Sequence, residues 1–300
     1  MSTFRDTARY VRNLSEGEFV LLKYLERYSK RFERVSLRLL KKVTKFSDEY
    51  LMTLIKRLSR KGFVIYFEQP YESVMLLTSG LDLLALKRLS DKGVVAGVGR
   101  QIGVGKESDV YDAIDPSGNR VTLKVFRLGR ISFKDVSRKR SYASIRLSHK
   151  WIWRNYASAK REYANLSMLY QRGVSVPRPI YQLMHILVME ALDGLLLHDL
   201  REVEQPYSLF RSIMYEVKKT WDIGFVNGDL SEYNIFLQWD TFKPILIDWP
   251  QAFSRNDSNA VDLLRRDVQN VINFFVKKYE CDSGALRNIA KELSLSFVLE

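Results

Sequence analysis

The chain changes character once, and that change limits what it can fold into. Up to about residue 93 the apolar residues recur at helical spacing. Gly93, Gly97 and Gly99 then break the pattern, and strand-like segments follow. The 300 residues leave room for two cores. Strands first and helices later predict, behind the boundary, an α+β lobe followed by a mostly helical lobe. We find no fixed-period repeat and no low-complexity tract.

The front segment, residues 1–93, predicts helices at about 5–12, 16–31, 35–43 and 47–61, a strand at 63–67 with its return at 73–77, and a helix over 79–92. In the second helix Phe19, Leu22, Leu25 and Tyr28 recur at helical spacing. Ser47 precedes Asp48 and Glu49, and Leu51, Leu54, Ile55 and Leu58 follow, which reads as an N-cap, an acidic first turn and an apolar face. Helices followed by a β-hairpin make a winged helix, with Lys56, Arg57, Arg60 and Lys61 on its recognition helix. Such a domain contacts nucleic acid or protein.

Charge is distributed unevenly. The net formal charge is +13, made of +8 in residues 1–93, −2 in 94–119, +12 in 120–161 and −5 in 162–300. A mildly acidic body therefore carries a basic front domain and one intensely basic stretch, interleaved with Tyr142, Trp151, Trp153 and Tyr156. That combination points to a polyanion such as nucleic acid. A single cysteine, Cys281, excludes an intrachain disulfide framework and fits a reducing cytosol, so a cytoplasmic location is expected. Three scattered histidines suggest no histidine metal site. The N-terminus is charged within five residues and no apolar run is long enough to span a bilayer, so neither a secretory signal nor a membrane partner is expected.

Behind the boundary lie the residues that carry chemistry. Gly103-Val104-Gly105-Lys106-Glu107-Ser108-Asp109-Val110 resembles a G-x-G-x-x-G-x-V loop with Ser at the third glycine. Glycines let the backbone approach phosphates, and the exposed N–H groups cradle them. A strand follows rather than a helix, so this is neither a Walker loop nor a dinucleotide fingerprint. Lys124 sits on the next strand, 14 residues after Val110, where a protein kinase keeps its phosphate-binding lysine. Glu162, on a helix expected at 157–171, is placed to pair with it. Asp229-Leu230-Ser231-Glu232-Tyr233-Asn234 matches the D-x-x-x-x-N part of a kinase catalytic loop: Asp229 faces a nucleophile while Asn234 turns back to a metal. Asp248 ends an apolar strand at 244–248, where an acid is costly unless it meets a cation. It reads as a magnesium ligand.

These motifs, with Arg127-Leu128-Gly129-Arg130-Ile131-Ser132-Phe133, Val176-Pro177-Arg178-Pro179 and Ile247-Asp248-Trp249-Pro250, resemble the RIO family of atypical protein kinases, in the branch with an N-terminal winged helix. The resemblance covers essentially residues 1–280. It implies a compact two-lobed kinase-like domain over 94–300, with an N-lobe at 94–190, a C-lobe at 191–300 and a flexible basic loop at 127–156. It implies ATP with Mg²⁺ or Mn²⁺ as cofactors. Residues 103–110 would cover ATP, with Lys106 and Ser108 near the phosphates. The backbone of Glu190 and Leu192 would bond adenine between apolar walls Val110, Met189, Phe236 and Ile247. Asp229 would be the catalytic Asp, Asn234 and Asp248 the metal ligands, and Asp248 a possible phosphate acceptor. The family's role in maturing the small ribosomal subunit implies pre-ribosomal particles and rRNA as partners. Two departures stand out: Asn227 where many relatives carry His, and Trp249 where Phe is usual. No A-P-E motif appears in the 52 residues after Asp248, so ordinary peptide-substrate recognition is not expected. Competing readings are a nucleotide-sensing pseudokinase scaffold and a small-molecule phosphotransferase.

Overall fold

The front of the chain builds as its caps and apolar spacing dictate. In a computed structural model, which describes residues 4–128 and 150–299, it forms α1 (Phe4–Tyr10), α2 (Glu16–Ser29), α3 (Leu37–Thr44), α4 (Asp48–Arg60) and α5 (Thr78–Asp91). Between them run β1 (Val35–Ser36), β2 (Val64–Phe67) and β3 (Ser73–Leu76), in the order β1-β3-β2. Ser15 opens α2 with a reciprocal capping box to Glu18, and the Ser47 side chain accepts the Tyr50 N–H at 3.3 Å to open α4. Leu51, Leu54, Ile55 and Leu58 are all buried, while Lys56, Arg57 and Arg60 face solvent. The face of α2 is rotated from the expected one. Leu21, Leu22 and Leu25 fill the core, and Phe19 is half-buried beneath the ammonium groups of Lys23 and Lys87. The expected winged helix is thus present, with β1 as an extra strand too short to leave a sequence pattern.

The described chain forms two compact units. The first, Met1–Lys160 with Tyr181–Val188, joins the winged helix to strand-rich structure. Here β4 (Gly97–Val104), β5 (Ser108–Ile114) and β6 (Arg120–Phe126) form an antiparallel meander. After it come α6 (Lys150–Gln171), β7 (Pro179–Leu183) and β8 (Ile186–Glu190), and the five strands lie in the order β4-β5-β6-β8-β7. Every residue of β6 from Val121 to Phe126 is buried. Helix α6 begins seven residues before the expected 157. The reason is tertiary: the Trp153 indole donates to the Lys30 carbonyl at 3.3 Å, and the Tyr156 hydroxyl to Glu26 at 3.0 Å. Tyr156 is thereby half-buried against α2, while the Trp153 ring stays exposed. The part of the basic loop at 129–149 lies outside the described residues.

The second unit, Arg161–Ile180 with Met189–Glu300, is mostly helical. Its helices are α7 (Pro206–Asp222), α8 (Ala260–Tyr279) and α9 (Ser283–Glu292), packed around Phe210, Ile213, Val268, Ile272 and Phe275. A small antiparallel sheet, made of β9 (Gly194–Leu196), β11 (Ile235–Gln238) and β12 (Pro244–Leu246), has β11 in the middle. A two-residue pair joins β10 (Phe225–Val226) to β13 (Phe253–Ser254). The strand expected at 244–248 stops at Leu246. The chain turns there, with Asp248 in the left-handed region at φ 69°, and the turn sends Trp249 into the core. No helix of the described residues is long and apolar enough to cross a membrane.

Candidate active site

In the first unit the glycine-rich segment is the turn of the β4–β5 hairpin. The Gly105 N–H donates to the Ser108 carbonyl at 2.8 Å, closing a four-residue loop whose tip, Lys106 and Glu107, is exposed. Gly103 lies opposite Val110, and Val110 opposite Lys124 on β6. The loop, the lysine and the half-buried Val110 therefore lie on neighbouring strands in one register. Lys124 is buried, with its ammonium 5.6 Å from the Phe126 ring centroid.

In the second unit Asp229, Asn234 and Asp248 come together through backbone-directed bonds. The Asn234 amide donates to the Asp229 carbonyl at 2.8 Å, and the Ile247 N–H donates to the Asn234 carbonyl at 2.9 Å. Asn227 bridges the two aspartates: its side-chain oxygen accepts the Asp229 N–H at 3.1 Å, and its amide donates to the Asp248 carbonyl at 3.1 Å. The departure at 227 thus fixes loop geometry without placing a titrating group there. Asp229 and Asp248 are both exposed, as groups meant for a ligand would be. Glu162 is buried on α6 and accepts the Trp249 N–H at 3.4 Å, while Asn165 donates to the Trp249 carbonyl at 2.8 Å. Trp249 itself is buried, its indole N–H satisfied by the Leu246 carbonyl at 2.9 Å. The bulkier ring is therefore accommodated, and α6 grips the turn that presents Asp248.

Sequence reading missed what holds the catalytic segment. Helix α8 turns Arg266, Asp267 and Asn270 toward it. Asp267 accepts the Gly228 N–H at 2.7 Å and the Leu230 N–H at 3.0 Å; Arg266 donates to the Gly228 carbonyl, and Asn270 to the Leu230 carbonyl at 3.1 Å. The backbone on both sides of Asp229 is thereby paired, while the Asp229 side chain stays exposed. Burial pushes the Asp267 carboxyl up to about 6, against the two N–H donors and the Arg266 charge and helped by the charge of Asp229. The available signal was an acid at 267 inside the apolar stripe Leu264, Val268, Val271, Ile272. Gly228 has φ 78°, and a β-carbon there would meet the Phe253 ring at 2.6 Å, so only glycine fits.

The donor set suits a hard cation. The Asn234 amide nitrogen is committed to the Asp229 carbonyl, which leaves its oxygen as the outward atom. With a carboxylate of Asp248, that gives two oxygen donors, the sparse protein share magnesium takes when phosphates and water complete its shell. Among the described residues no cluster of three or more acidic, His or Cys side chains offers an all-protein cage. At the end of β8 the Glu190 N–H is engaged by the Arg178 carbonyl at 3.0 Å, so the backbone group Glu190 can offer a ligand is its carbonyl. Met189, Leu192, Phe236 and Ile247 are only half-buried, although their strand neighbours Val188, Ile235, Leu237 and Leu246 are buried.

Residues 109–286 match the family model of the RIO domain. The chain belongs to the RIO kinase family. Residues 11–92 match the Rio2 N-terminal domain, which places it in the branch with the winged helix. The RIO chain is 35% identical over 235 residues to the serine/threonine-protein kinase rio2 of Schizosaccharomyces pombe, covering 77% of this chain and 68% of the relative. It is 35% identical over 243 residues to the RIO-type serine/threonine-protein kinase Rio2 of Methanocaldococcus jannaschii, covering 79% and 88%. A crystal structure of Chaetomium thermophilum Rio2 kinase in an ADP/Mg²⁺–phosphoaspartate complex superposes with a TM-score of 0.81 at 31% identity, covering 94% of this chain and 88% of that one.

Proposed function

We propose that this RIO kinase is an ATP- and Mg²⁺-dependent phosphotransferase of 1–93 winged helix and 94–300 kinase domain, acting in the cytoplasm on maturing small ribosomal subunits. The observation that carries the chemistry is the pair of exposed carboxylates, Asp229 and Asp248, whose backbones Asn227 bridges, with the backbone on both sides of Asp229 held by Asp267 of α8. Lys124, steadied by Glu162, binds phosphate with Gly103, Gly105, Lys106 and Ser108. The Glu190 carbonyl and Leu192 N–H bond adenine, against Val110, Met189, Phe236 and Ile247. Asn234 and Asp248 would hold magnesium or manganese, which when bound would supply charge neutralisation at the phosphates. Asp229 orients the incoming hydroxyl or water.

Because the Chaetomium relative was crystallised as a phosphoaspartate complex, Asp248 is the acceptor we favour for a first transfer. A carboxylate oxygen of Asp248 bonds to the γ-phosphorus, the bond to the β–γ bridging oxygen breaks, and ADP leaves. Water then splits the acyl phosphate, and the net reaction is ATP hydrolysis usable as a switch on an assembling particle. The basic α3–α4 surface (Arg38, Lys42, Lys45, Lys56, Arg57, Arg60, all exposed) and the 127–156 segment, apart from the buried Arg127, supply the grip on rRNA.

Incubation with γ-labelled ATP, with and without small-subunit precursor particles, followed by mapping of the label, tests this. Expected is a hydroxylamine-labile label on Asp248 that turns over, and particle binding that weakens steeply with salt. Absence of any label and of any phosphate release refutes it.

A further inference from the structure

One buried charged cluster in the first unit plays no part in the chemistry above. Arg127 follows β6 directly and is buried. Its guanidinium makes a two-pronged bond to Asp82 on α5, at 2.6 and 2.9 Å. Its Nε lies 3.4 Å from the carboxylate of Asp109, the first residue after Ser108, and its backbone N–H donates to the Glu107 carbonyl at 2.6 Å. His185, in the turn between β7 and β8, places Nε2 2.7 Å from Asp82. One arginine therefore ties the last helix of the winged domain to the tip and the outgoing strand of the glycine-rich loop.

The charges make this a directional device. Burial pushes the His185 imidazole down, so it is neutral and donates Nε2–H to Asp82. Burial would raise the Asp82 carboxyl, but the Arg127 charge and the His185 hydrogen bond hold it below its ordinary value. Asp82 is thus a fixed anion with both oxygens on Arg127 and one shared with His185. A planar guanidinium gripped along one edge has its remaining N–H direction set, and here that direction is Asp109. Leu128, the next residue, is pinned too, its N–H donating to Asn155 at 2.7 Å. Hydrogen bonds inside a buried network cost more to lose than exposed ones, so removing one member shifts the rest.

We propose that Asp82, a winged-helix residue, is a positioning residue for the phosphate-binding loop: through Arg127 it sets the Glu107–Asp109 backbone that approaches the nucleotide. The winged helix then forms part of the nucleotide-binding machinery, over and above any grip on a partner. This rests on the proposed reading that residues 103–110 cover ATP.

The test compares Asp82→Asn and Arg127→Lys with Leu54→Ala. Leu54 is buried in the winged-helix core and takes no part in the network, so its truncation destabilises the same domain without touching the loop. Equilibrium MgATP binding, the KM and kcat of phosphate release, and melting are measured on the full chain. Asp82→Asn is expected to weaken ATP binding and raise KM about tenfold, with kcat changed less than about threefold. Arg127→Lys, which keeps the charge but loses the fork, should weaken binding about fivefold. Leu54→Ala should lower the melting temperature and leave ATP binding within about twofold of the parent. Parent-like ATP binding by Asp82→Asn, or an equal loss in Leu54→Ala, overturns the inference. If Asp82→Asn does not fold, Arg127→Lys decides alone, parent-like binding again being the refuting result. Failure of the parent itself to bind ATP sinks the proposed function instead, and this inference with it.

Discussion

Two loops of this chain solve opposite problems. The catalytic segment, Gly228 to Asn234, is held at the backbone groups beside Asp229 by the buried Asp267, the half-buried Asn270 and the exposed Arg266 of α8, and by the buried Asn227 just after β10. The glycine-rich loop, residues 104–107, is exposed, and among the described residues its backbone is braced at its base, by Gly105 on Ser108 and Arg127 on Glu107. A carboxylate that must aim at one reacting atom benefits from a frame that cannot relax. A loop that must close over a flexible triphosphate benefits from adaptable backbone N–H groups. The contrast predicts that substitutions in the catalytic segment act on transfer and stability, and those in the glycine-rich loop on nucleotide affinity.

The largest effect should come from Asp229→Ala. Phosphoryl transfer should fall about a thousandfold or more, while the melting temperature stays close to the parent because the side chain is exposed. Turnover near the parent's would break the comparison at its centre. Next is Asp267→Ala, which leaves two buried N–H groups without their acceptor and should cost about 3 kcal/mol by denaturant unfolding, with a parallel loss of transfer.

The same residue gives a pH test. The folded carboxyl stands at about 6, above the ordinary 3.8 of an aspartate, so between those pH values the native state binds the extra proton. Its contribution makes stability fall as pH rises from about 4 to about 6, by roughly 2–3 kcal/mol, and stay flat above. Asp267→Asn should remove that component, and an unchanged pH profile would count against the assignment. Gly228→Ala, strained by its φ and by the Phe253 ring, should cost about 1–3 kcal/mol.

The smallest stability effect should be that of Gly105→Ala. Gly105 has no positive φ, and the added carbon meets only the Ser108 carbonyl at 3.2 Å, so unfolding should shift by less than about 1 kcal/mol. The KM for ATP should nonetheless rise several-fold. A large loss of stability here would mean that the loop is as tightly framed as the catalytic segment.

Much of this was legible in the chain. Ser47 with Asp48 and Glu49, then Leu51, Leu54, Ile55 and Leu58, specify α4 through local capping and spacing, and the structure keeps both. Asp229, Asn234 and Asp248 stand out because their order and separation are themselves the motif. Elements set by distant partners were not legible. Strands β1, β9, β10 and β13 have two or three residues each, too few to show alternation, and exist only through pairing. The early start of α6 depends on Trp153 and Tyr156 meeting α2. The shortened strand before Asp248 depends on Trp249 finding the core.

The sequence by itself determined the family, the winged helix and the candidate carboxylates Asp229 and Asp248, because short-range spacing encodes caps, helix faces and motif loops. Only the tertiary structure decided what holds the backbone beside Asp229 and what braces the glycine-rich loop. Asp267 lies 38 residues after Asp229, and Asp82 lies 45 before Arg127. Such pairings follow from burial: a charge removed from water must find its partner wherever the fold brings one.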